Sequence, residues 1–220
     1  SKFFDDSLKS KIIQDLSISN DEIIFIIGDS QDIVLSALGA LRLRLADREK
    51  LIDKTKWAPL WVVDFPLVEW NKDHERWDAL HHPFTSPNLE DLELVDSEPN
   101  LARSLGYDIV MNGYELGGGS IRIYDSKLQA KIFNLLGVSD KEASEKFGFL
   151  MNAFEYGAPP HGGMAFGLDR IIMLLTGSSQ IRDVIAFPKT TSAMSLMDDS
   201  PSFVDREQLK ELGLDIKEKK

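Results

Sequence analysis

Residues 162–170 read Gly-Gly-Met-Ala-Phe-Gly-Leu-Asp-Arg, and the apolar run Ile-Ile-Met-Leu-Leu follows directly at 171–175. This pattern predicts a short strand, a tight glycine turn and a buried helix that opens with an acid–arginine pair. Gly163 and Gly167 leave the backbone open to the close approach of a flat group. Arg170 lies at the helix N-terminus, where the helix dipole disfavours a cation, so we expect a ligand to hold it there. Because arginine binds anionic oxygens and stacks on aromatic bases, the stretch predicts a nucleotide site.

The composition limits the class of protein. The 220 residues, of which 43% are hydrophobic, are enough for one large domain or for one domain with a small appendage. No apolar run approaches the roughly 20 residues that cross a bilayer, and we expect neither a signal peptide nor a membrane partner. The absence of cysteine excludes disulfides and thiolate-bound zinc and agrees with a cytoplasmic location. A net charge of −11 argues against broad binding to nucleic acid, although it does not exclude a local basic groove.

The first 56 residues differ in character from the rest. The sequence predicts a helix over 5–16, a short apolar strand over 22–28 and a helix over 31–50 that Ser30 caps. One helix–strand–helix unit is small for a domain, so we expect its core to continue in residues that precede Ser1. The polar residues 53–56 are the predicted boundary.

From residue 57 onward strands dominate and helices follow. Strands are predicted over 60–64, 77–81, 107–112 and 119–123, with a bend at 117–119, and 181–189 is predicted as a further strand with a charged start. Asp125 and Ser139 are predicted to cap two amphipathic helices, the first of which Gly137 ends. Successive strands followed by helices predict an α+β fold with a mostly antiparallel sheet.

Asp108 and Glu115 flank an apolar strand. Two carboxylates near a phosphate site commonly hold Mg²⁺ through oxygen. Because their separation is odd, one unbroken strand would place them on opposite faces of the sheet. A bulge or turn near Asn112-Gly113 is therefore needed if both serve one site. On spacing alone, two solvated acids at the ends of a strand are the favoured interpretation.

Arg122 and the pair His81-His82 are the remaining candidates. Arg122 follows the glycine run on an apolar strand, and an inward arginine needs either a protein acid or a ligand carboxylate. Both alternatives stay open. Adjacent histidines on a strand point to opposite faces, so that segment alone predicts one core histidine, one exposed histidine and no shared metal. The chain has no Walker loop, dinucleotide fingerprint or nucleophile elbow. Together, the signals predict an adenine or phosphate site on an antiparallel sheet.

Several segments resemble a known family. Residues 163–170 resemble motif 3 of class II aminoacyl-tRNA synthetases, and the sequence is further similar to bacterial-type aspartyl-tRNA synthetase at 81–85, 113–122, 146–150 and 181–189. The similarity covers 57–214. It implies that 57–220 is the C-terminal part of a class II catalytic domain, with an antiparallel sheet flanked by helices. It also implies that 1–56 is the C-terminal part of a small α/β insertion domain.

The resemblance implies an ATP site in the motif 3 segment. Arg170 would stack on adenine beside the phosphates, and Gly167, Leu168 and Asp169 would complete that wall. Glu115 would bind ATP through Mg²⁺.

The resemblance also implies a site for L-aspartate. Arg122 would clamp the side-chain carboxylate, and His81 would close over the same substrate. Asp108 would assist Glu115 in holding the metal.

The implied activity is that of an aspartate–tRNA ligase, which forms aspartyl-adenylate from L-aspartate and ATP and transfers the aspartyl group to tRNA. The partners would be tRNA(Asp), and also tRNA(Asn) in some family members, with a cytoplasmic homodimer as the parent enzyme. Motifs 1 and 2 and an anticodon-binding barrel are not found in the sequence. We therefore expect a fragment that alone neither activates aspartate nor charges tRNA.

Two other functions are considered. A tRNA-independent paralogue would pass aspartyl-adenylate to ammonia, but such paralogues resemble compact catalytic cores without the insertion-domain segment. A non-catalytic binding or dimerisation module is less favoured, because such a module has no need of Glu115, Arg122 and Arg170 together.

Overall fold

The structure is a computed structural model that describes residues 3–19 and 21–217. The chain divides into two compact units, Ser1–Lys56 and Trp57–Lys220. None of the helices in the described residues combines the length and the apolar character that a bilayer crossing needs.

Two helices are found in the described residues of the first unit. Helix α1 spans Asp6–Asp15, and its N-cap Asp5 accepts a hydrogen bond from the backbone of Leu8 at 2.7 Å. Helix α2 spans Gln31–Arg48 after Ser30, whose side chain makes no capping hydrogen bond. The strand predicted over 22–28 is wrong, because the described part of this segment is irregular and mostly exposed. A strand needs a hydrogen-bonding neighbour, and no described residue of the unit pairs with this segment.

The second unit is built on an antiparallel sheet, which confirms the predicted α+β class. Its strands, in chain order, are β1 (Pro59–Val62), β2 (Val68–Asn71), β3 (Arg76–Ala79), β4 (Gly106–Met111), β5 (Tyr114–Ile121) and β6 (Gly162–Phe166). The main sheet has the order β1-β4-β5-β6, and β2 and β3 form a separate hairpin. Its helices are α3 (Leu94–Ser97), α4 (Ser126–Leu135), α5 (Asp140–Glu155), α6 (Leu168–Leu175) and α7 (Arg206–Glu211).

The turn between β4 and β5 lies at Asn112-Gly113, so the bend predicted at 117–119 is wrong. Asn112 and Gly113 have φ of 52° and 86°, the left-handed values that a two-residue hairpin turn requires. The three glycines instead lie inside β5, because a Cβ on Gly117 or Gly119 would collide with the backbone of β6. Sequence reasoning treated these glycines as a turn signal, whereas their role is to allow close approach of a neighbouring strand.

Helices α4 and α5 pack a core behind the sheet. The Asp125 side chain accepts the backbone N–H of Leu128 at 2.7 Å, and Ser139 Oγ accepts that of Glu142 at 3.3 Å, as predicted. Phe84, Phe133 and Phe147 form an aromatic cluster, in which the last two rings stack at 5.2 Å. The buried aliphatic core comprises Leu67, Val68, Val95, Ala102, Ile123 and Ile132.

The strand predicted over 181–189 is also wrong. Ile181–Asp183 form a 3₁₀ turn, and only an isolated bridge between Lys189 and Ser195 follows. The Asp183 carboxylate accepts a hydrogen bond from Ser178 Oγ at 2.6 Å, and this bond stabilises a compact turn between two residues that are five positions apart. Hydrogen bonds from side chains to groups nearby in the sequence compete with the extended backbone of a strand.

Arg103 joins acidic residues from two distant segments of the chain, Asp64 and the adjacent pair Glu90-Asp91. Its Nε and Nη2 donate to the nearly buried Asp91 carboxylate at 2.7 and 3.0 Å, and the backbone N–H of Arg103 donates to the same carboxylate at 2.9 Å. Nη2 also reaches Glu90 at 3.1 Å, and Nη1 lies 3.8 Å from Asp64. The side-chain and backbone hydrogen bonds from Arg103 lower the pKa of Asp91 to about 2.

We expect Asp91→Asn to lower the melting temperature near neutral pH, because the amide removes the negative charge and one of the two oxygens that accept hydrogen bonds from Arg103. The pKa of Asp91 is lower in the folded chain than its ordinary 3.8, so its stabilisation is present above 3.8 and is lost as the pH falls to about 2. The stability difference between wild type and variant should therefore shrink across that interval. Thermal unfolding followed by circular dichroism at stepped pH measures it, and a constant difference would contradict the assignment.

Candidate functional site

A cavity of about 590 Å³ opens over β5, β6 and the start of α6. Seven of the eight residues selected from the sequence line it: His81, Asp108, Glu115, Arg122, Gly167, Asp169 and Arg170. Leu168 does not line the cavity and is 68% exposed, so the structure does not bring it to the other seven.

The floor of the cavity is a glycine-rich part of the sheet. Gly117, Gly118 and Gly119 lie opposite Phe166, Ala165 and Met164 of β6, and most of these residues line the cavity. A Cβ on Gly118 would collide with the Asp108 side chain, which crosses the floor at this point. The absence of side chains leaves a flat surface of backbone, against which a planar ligand group can lie.

The β4–β5 hairpin brings both candidate carboxylates to this floor. Asp108 lies opposite Gly118, and the register shifts between Ile109 and Val110, so that Glu115 turns toward the same side as Asp108. A shared site was expected to need a bulge or a turn near Asn112-Gly113; the turn lies there, and a bulge is also present between Ile109 and Val110. Sequence spacing had favoured two solvated acids, but the Asp108 side chain is only 20% exposed.

Asp108 lies in an unfavourable electrostatic environment. Burial raises its pKa, the negative charge of Glu115 raises it further, and His81 opposes both effects. His81 Nε2 lies 3.9 Å from Asp108 Oδ1. Two oxygen donors that repel each other fit a hard cation such as Mg²⁺. Among the described residues no group of three metal-binding side chains exists, so a cation here would need ligand oxygens or water to complete its coordination.

Arg170 is held by Glu115. Its Nη1 donates to the Glu115 backbone carbonyl at 2.7 Å and lies 3.3 Å from the Glu115 carboxylate. Gly167 is the N-cap of α6, so Arg170 stands in the first turn as predicted. The glutamate offsets part of the unfavourable dipole interaction. The guanidinium is still 45% exposed and lines the cavity.

Arg122 has no acidic partner among the described residues. It follows the last residue of β5, and its backbone N–H donates to the His161 carbonyl at 2.9 Å. Its side chain is partly buried, and Nη1 contacts the ring of His82, 3.0 Å from Nδ1 and closer still to Nε2. Of the two alternatives that the sequence left open, the ion pair is not formed. The unpaired cation in a cavity favours an anionic ligand.

Both histidines line the cavity, so the prediction of one core and one exposed histidine is wrong. They lie beyond the end of β3, in a bend where strand alternation does not apply. Gln129 of α4 fixes this bend by donating from Nε2 to the Pro83 carbonyl at 2.7 Å. Burial lowers the pKa of His82, and the positive charges of Arg122 and His81 lower it further.

Sequence reasoning missed His82 and the glycine floor as parts of the site. The signal for the floor was the unbroken run 117–119, because three glycines are rare inside a strand without a close neighbour. The signal for His82 was Pro83, since proline restricts the residue next to it and ends regular strand alternation.

Comparisons with known proteins agree on one family. The family model for class II tRNA synthetases (D, K and N) matches residues 10–191. An aspartate–tRNA(Asp/Asn) ligase of Caldanaerobacter subterraneus subsp. tengcongensis is 52% identical over 98% of this chain and 36% of its own length. An aspartate–tRNA ligase of Staphylococcus saprophyticus is 51% identical over 98% of this chain and 37% of its own length. The chain spans about a third of the length of these curated relatives.

Solved structures are more distant. The aspartyl tRNA synthetase from Entamoeba histolytica covers 83% of this chain and 31% of its own, at 24% identity and a TM-score of 0.47. Asparaginyl-tRNA synthetase from Pyrococcus horikoshii covers 84% of this chain and 34% of its own, at 19% identity and a TM-score of 0.46. The assignment to the family therefore rests on the family model and the related sequences, and not on these structural similarities.

Proposed function

Because this chain belongs to the class II tRNA synthetases of the D, K and N type, we propose that its cavity binds L-aspartate and ATP in an aspartate–tRNA ligase. The observation that carries the proposal is Arg122, a guanidinium without an acidic partner among the described residues, in one cavity with Arg170. A bidentate arginine favours a carboxylate over an amide, since an amide cannot accept two such hydrogen bonds.

In the proposed reaction the α-carboxylate of aspartate attacks the α-phosphorus of ATP, and the bond to the bridging oxygen of pyrophosphate breaks. The α-carboxylate is ionised at neutral pH, so the protein supplies no base. Arg122 binds the side-chain carboxylate and Arg170 packs on the adenine and neighbours the phosphates, which holds the reactants in line. His81 covers the aspartate. A ribose hydroxyl of tRNA then attacks the aspartyl carbonyl, and AMP leaves.

The two carboxylates fit a magnesium site. Glu115 and Asp108 would hold a Mg²⁺ ion, which would supply positive charge near the phosphate oxygens. Without that charge, Glu115 and Asp108 would repel the phosphates. In this proposal Glu115 also orients Arg170, through the backbone and carboxylate contacts described above.

We assign the two units of the chain to different parts of the parent enzyme. Residues 1–56 form the C-terminal part of an insertion domain, and 57–220 form the C-terminal part of the catalytic domain with motif 3. Gly167 and Asp169 join Arg170 at the ATP site in this assignment, whereas the Leu168 side chain lies outside the cavity. The parent enzyme is a cytoplasmic homodimer that charges tRNA(Asp), with tRNA(Asn) as a second substrate if its specificity is relaxed.

Calorimetry on the 220-residue chain tests the proposal with two non-hydrolysable adenylate analogues, L-aspartyl and L-asparaginyl sulfamoyl adenosine. We expect the aspartyl analogue to bind at least about 10-fold more tightly, because only its carboxylate satisfies the charge of Arg122. Absence of binding of either analogue would overturn the proposal and favour a non-catalytic module.

A second assay measures aspartate-dependent exchange of pyrophosphate into ATP. We expect no exchange by the 220 residues alone, because they correspond to about a third of the length of the related ligases. Rapid exchange would contradict that expectation. Transfer of the aspartyl group to ammonia during such exchange would favour the tRNA-independent paralogue.

A further inference from the structure

His82 lies between the Arg122 guanidinium and two buried hydroxyl groups. Arg122 Nη1 is 3.0 Å from His82 Nδ1 and also contacts Nε2. Thr85 Oγ1 lies 3.3 Å from Nδ1, and Ser120 Oγ lies 3.5 Å from Nε2. Thr85 and Ser120 are 2% and 0% exposed, and the two hydroxyls are 3.3 Å apart. The ring therefore has polar neighbours on the side of Arg122 and on the buried side.

The backbone fixes this ring relative to β5. Thr85 forms an isolated antiparallel bridge with Arg122, and its N–H donates to the His82 carbonyl at 3.1 Å. The N–H of Ile123 donates to the Phe84 carbonyl at 3.0 Å. The backbone of the bend that carries His82 is thus tied directly to the backbone around Arg122.

The charge of this pair differs from that of an ordinary arginine partner. Burial, Arg122 and His81 all lower the pKa of His82, so the ring is neutral at neutral pH. The neutral ring has one acceptor nitrogen, and the backbone N–H of Phe84 also approaches Nδ1, at 3.2 Å. Contact with a neutral ring leaves the positive charge of the guanidinium intact. An aspartate or glutamate in the same place would orient the guanidinium equally well but would cancel its charge.

We propose that His82 is a positioning residue that orients Arg122 toward the side-chain carboxylate of the ligand while preserving its charge. His82 thereby contributes to the preference for a carboxylate over an amide. The inference rests on the proposed function, because it takes aspartate as the ligand of Arg122. In this inference His82 is a second residue that helps to recognise the acidic side chain of the ligand. It acts through Arg122 and does not itself contact the carboxylate.

Three substitutions of His82 separate orientation from charge. His82→Leu removes the acceptor, and we expect the aspartyl analogue to bind about 10- to 100-fold more weakly, with less than about a 3-fold change for the asparaginyl analogue. His82→Gln keeps a neutral acceptor and should restore binding to within about 5-fold of wild type. His82→Glu introduces a carboxylate beside Arg122 and should reverse the preference in favour of the asparaginyl analogue.

His74→Leu is the matched control, because His74 is exposed at the turn between β2 and β3 and outside the cavity. We expect it to leave both affinities within about 2-fold, the usual effect of a surface substitution. Equal weakening of both analogues by His82→Leu, with no recovery in His82→Gln, would show a purely structural role and overturn the inference. If the wild-type chain binds neither analogue, the proposed function fails first. If His82→Leu keeps the wild-type preference for the aspartyl analogue over the asparaginyl analogue, the inference about His82 is overturned and the proposed function stands.

Discussion

Arg122→Ala is expected to weaken binding of the aspartyl analogue by about 100-fold or more, because the substrate carboxylate loses its bidentate, charge-assisted partner in a partly desolvated cavity. The asparaginyl analogue should lose much less affinity, since its neutral amide gains little from the guanidinium charge. The preference between the analogues should therefore disappear. Paired calorimetric titrations of wild type and variant with both analogues measure the change.

Two further variants test whether the loss of affinity in Arg122→Ala comes from the guanidinium of Arg122. Arg122→Lys retains the charge but not the planar fork, so we expect intermediate affinity and reduced selectivity. Arg206→Ala removes an exposed arginine of α7 outside the cavity and should leave both affinities within about 2-fold. If Arg122→Ala retains the wild-type preference for the aspartyl analogue, Arg122 does not recognise the side-chain carboxylate.

Local signals predicted much of the framework around Arg122. The capping side chains of Asp125 and Ser139 mark the starts of α4 and α5 at the observed positions, because a cap is decided by residues three positions apart. The strand, turn and helix at 162–175 are also at the predicted positions, but the prediction that the helix is buried is wrong, because Met173 is its one buried residue. The family resemblance carried by that unit is confirmed by the family match and the aspartate–tRNA ligases.

Features that depend on distant residues were predicted less well. The glycine run 117–119 is a turn signal by composition, but the strand β6 that requires it lies more than 40 residues later. The apolar segment 22–28 has the composition of a strand and finds no partner in the described residues of its unit. The hydrophobic periodicity of a segment indicates only the conformation that this segment prefers. Whether it joins a sheet depends on a second segment that pairs with it.

In the candidate site, too, features that depend on local sequence were predicted and features that depend on distant residues were not. A single bulge and a two-residue turn bring Asp108 and Glu115 together, and their odd spacing predicts that a bulge or a turn is needed. The partner of Arg122 could not be foreseen, because it depends on a bend that ties His82 to the end of β5. Residue chemistry therefore identified seven of the residues that line the cavity, and tertiary hydrogen bonds decided which of them meet.

Arg170→Ala should produce a different pattern from that of Arg122→Ala. In the proposed binding mode Arg170 faces the nucleotide, which both analogues share, so we expect the two affinities to fall together, by about 100-fold, while their ratio is preserved. The loss has two sources: the contact of the guanidinium with the nucleotide, and the release of Glu115, whose carboxylate then repels the phosphate-like group beside Asp108. Calorimetry with both analogues measures the shared loss.

Arg182→Ala is the matched control for Arg170, because Arg182 is an exposed arginine in the 3₁₀ turn beside the cavity and does not line it. It should change neither affinity by more than about 2-fold. Arg170→Lys keeps the charge near Glu115 but cannot stack, so it should recover less than half of the lost binding free energy if the plane of the guanidinium contacts adenine. Full recovery with lysine would show that Arg170 acts only through its charge, and a selective loss of the aspartyl analogue would place Arg170 at the amino acid instead of the nucleotide.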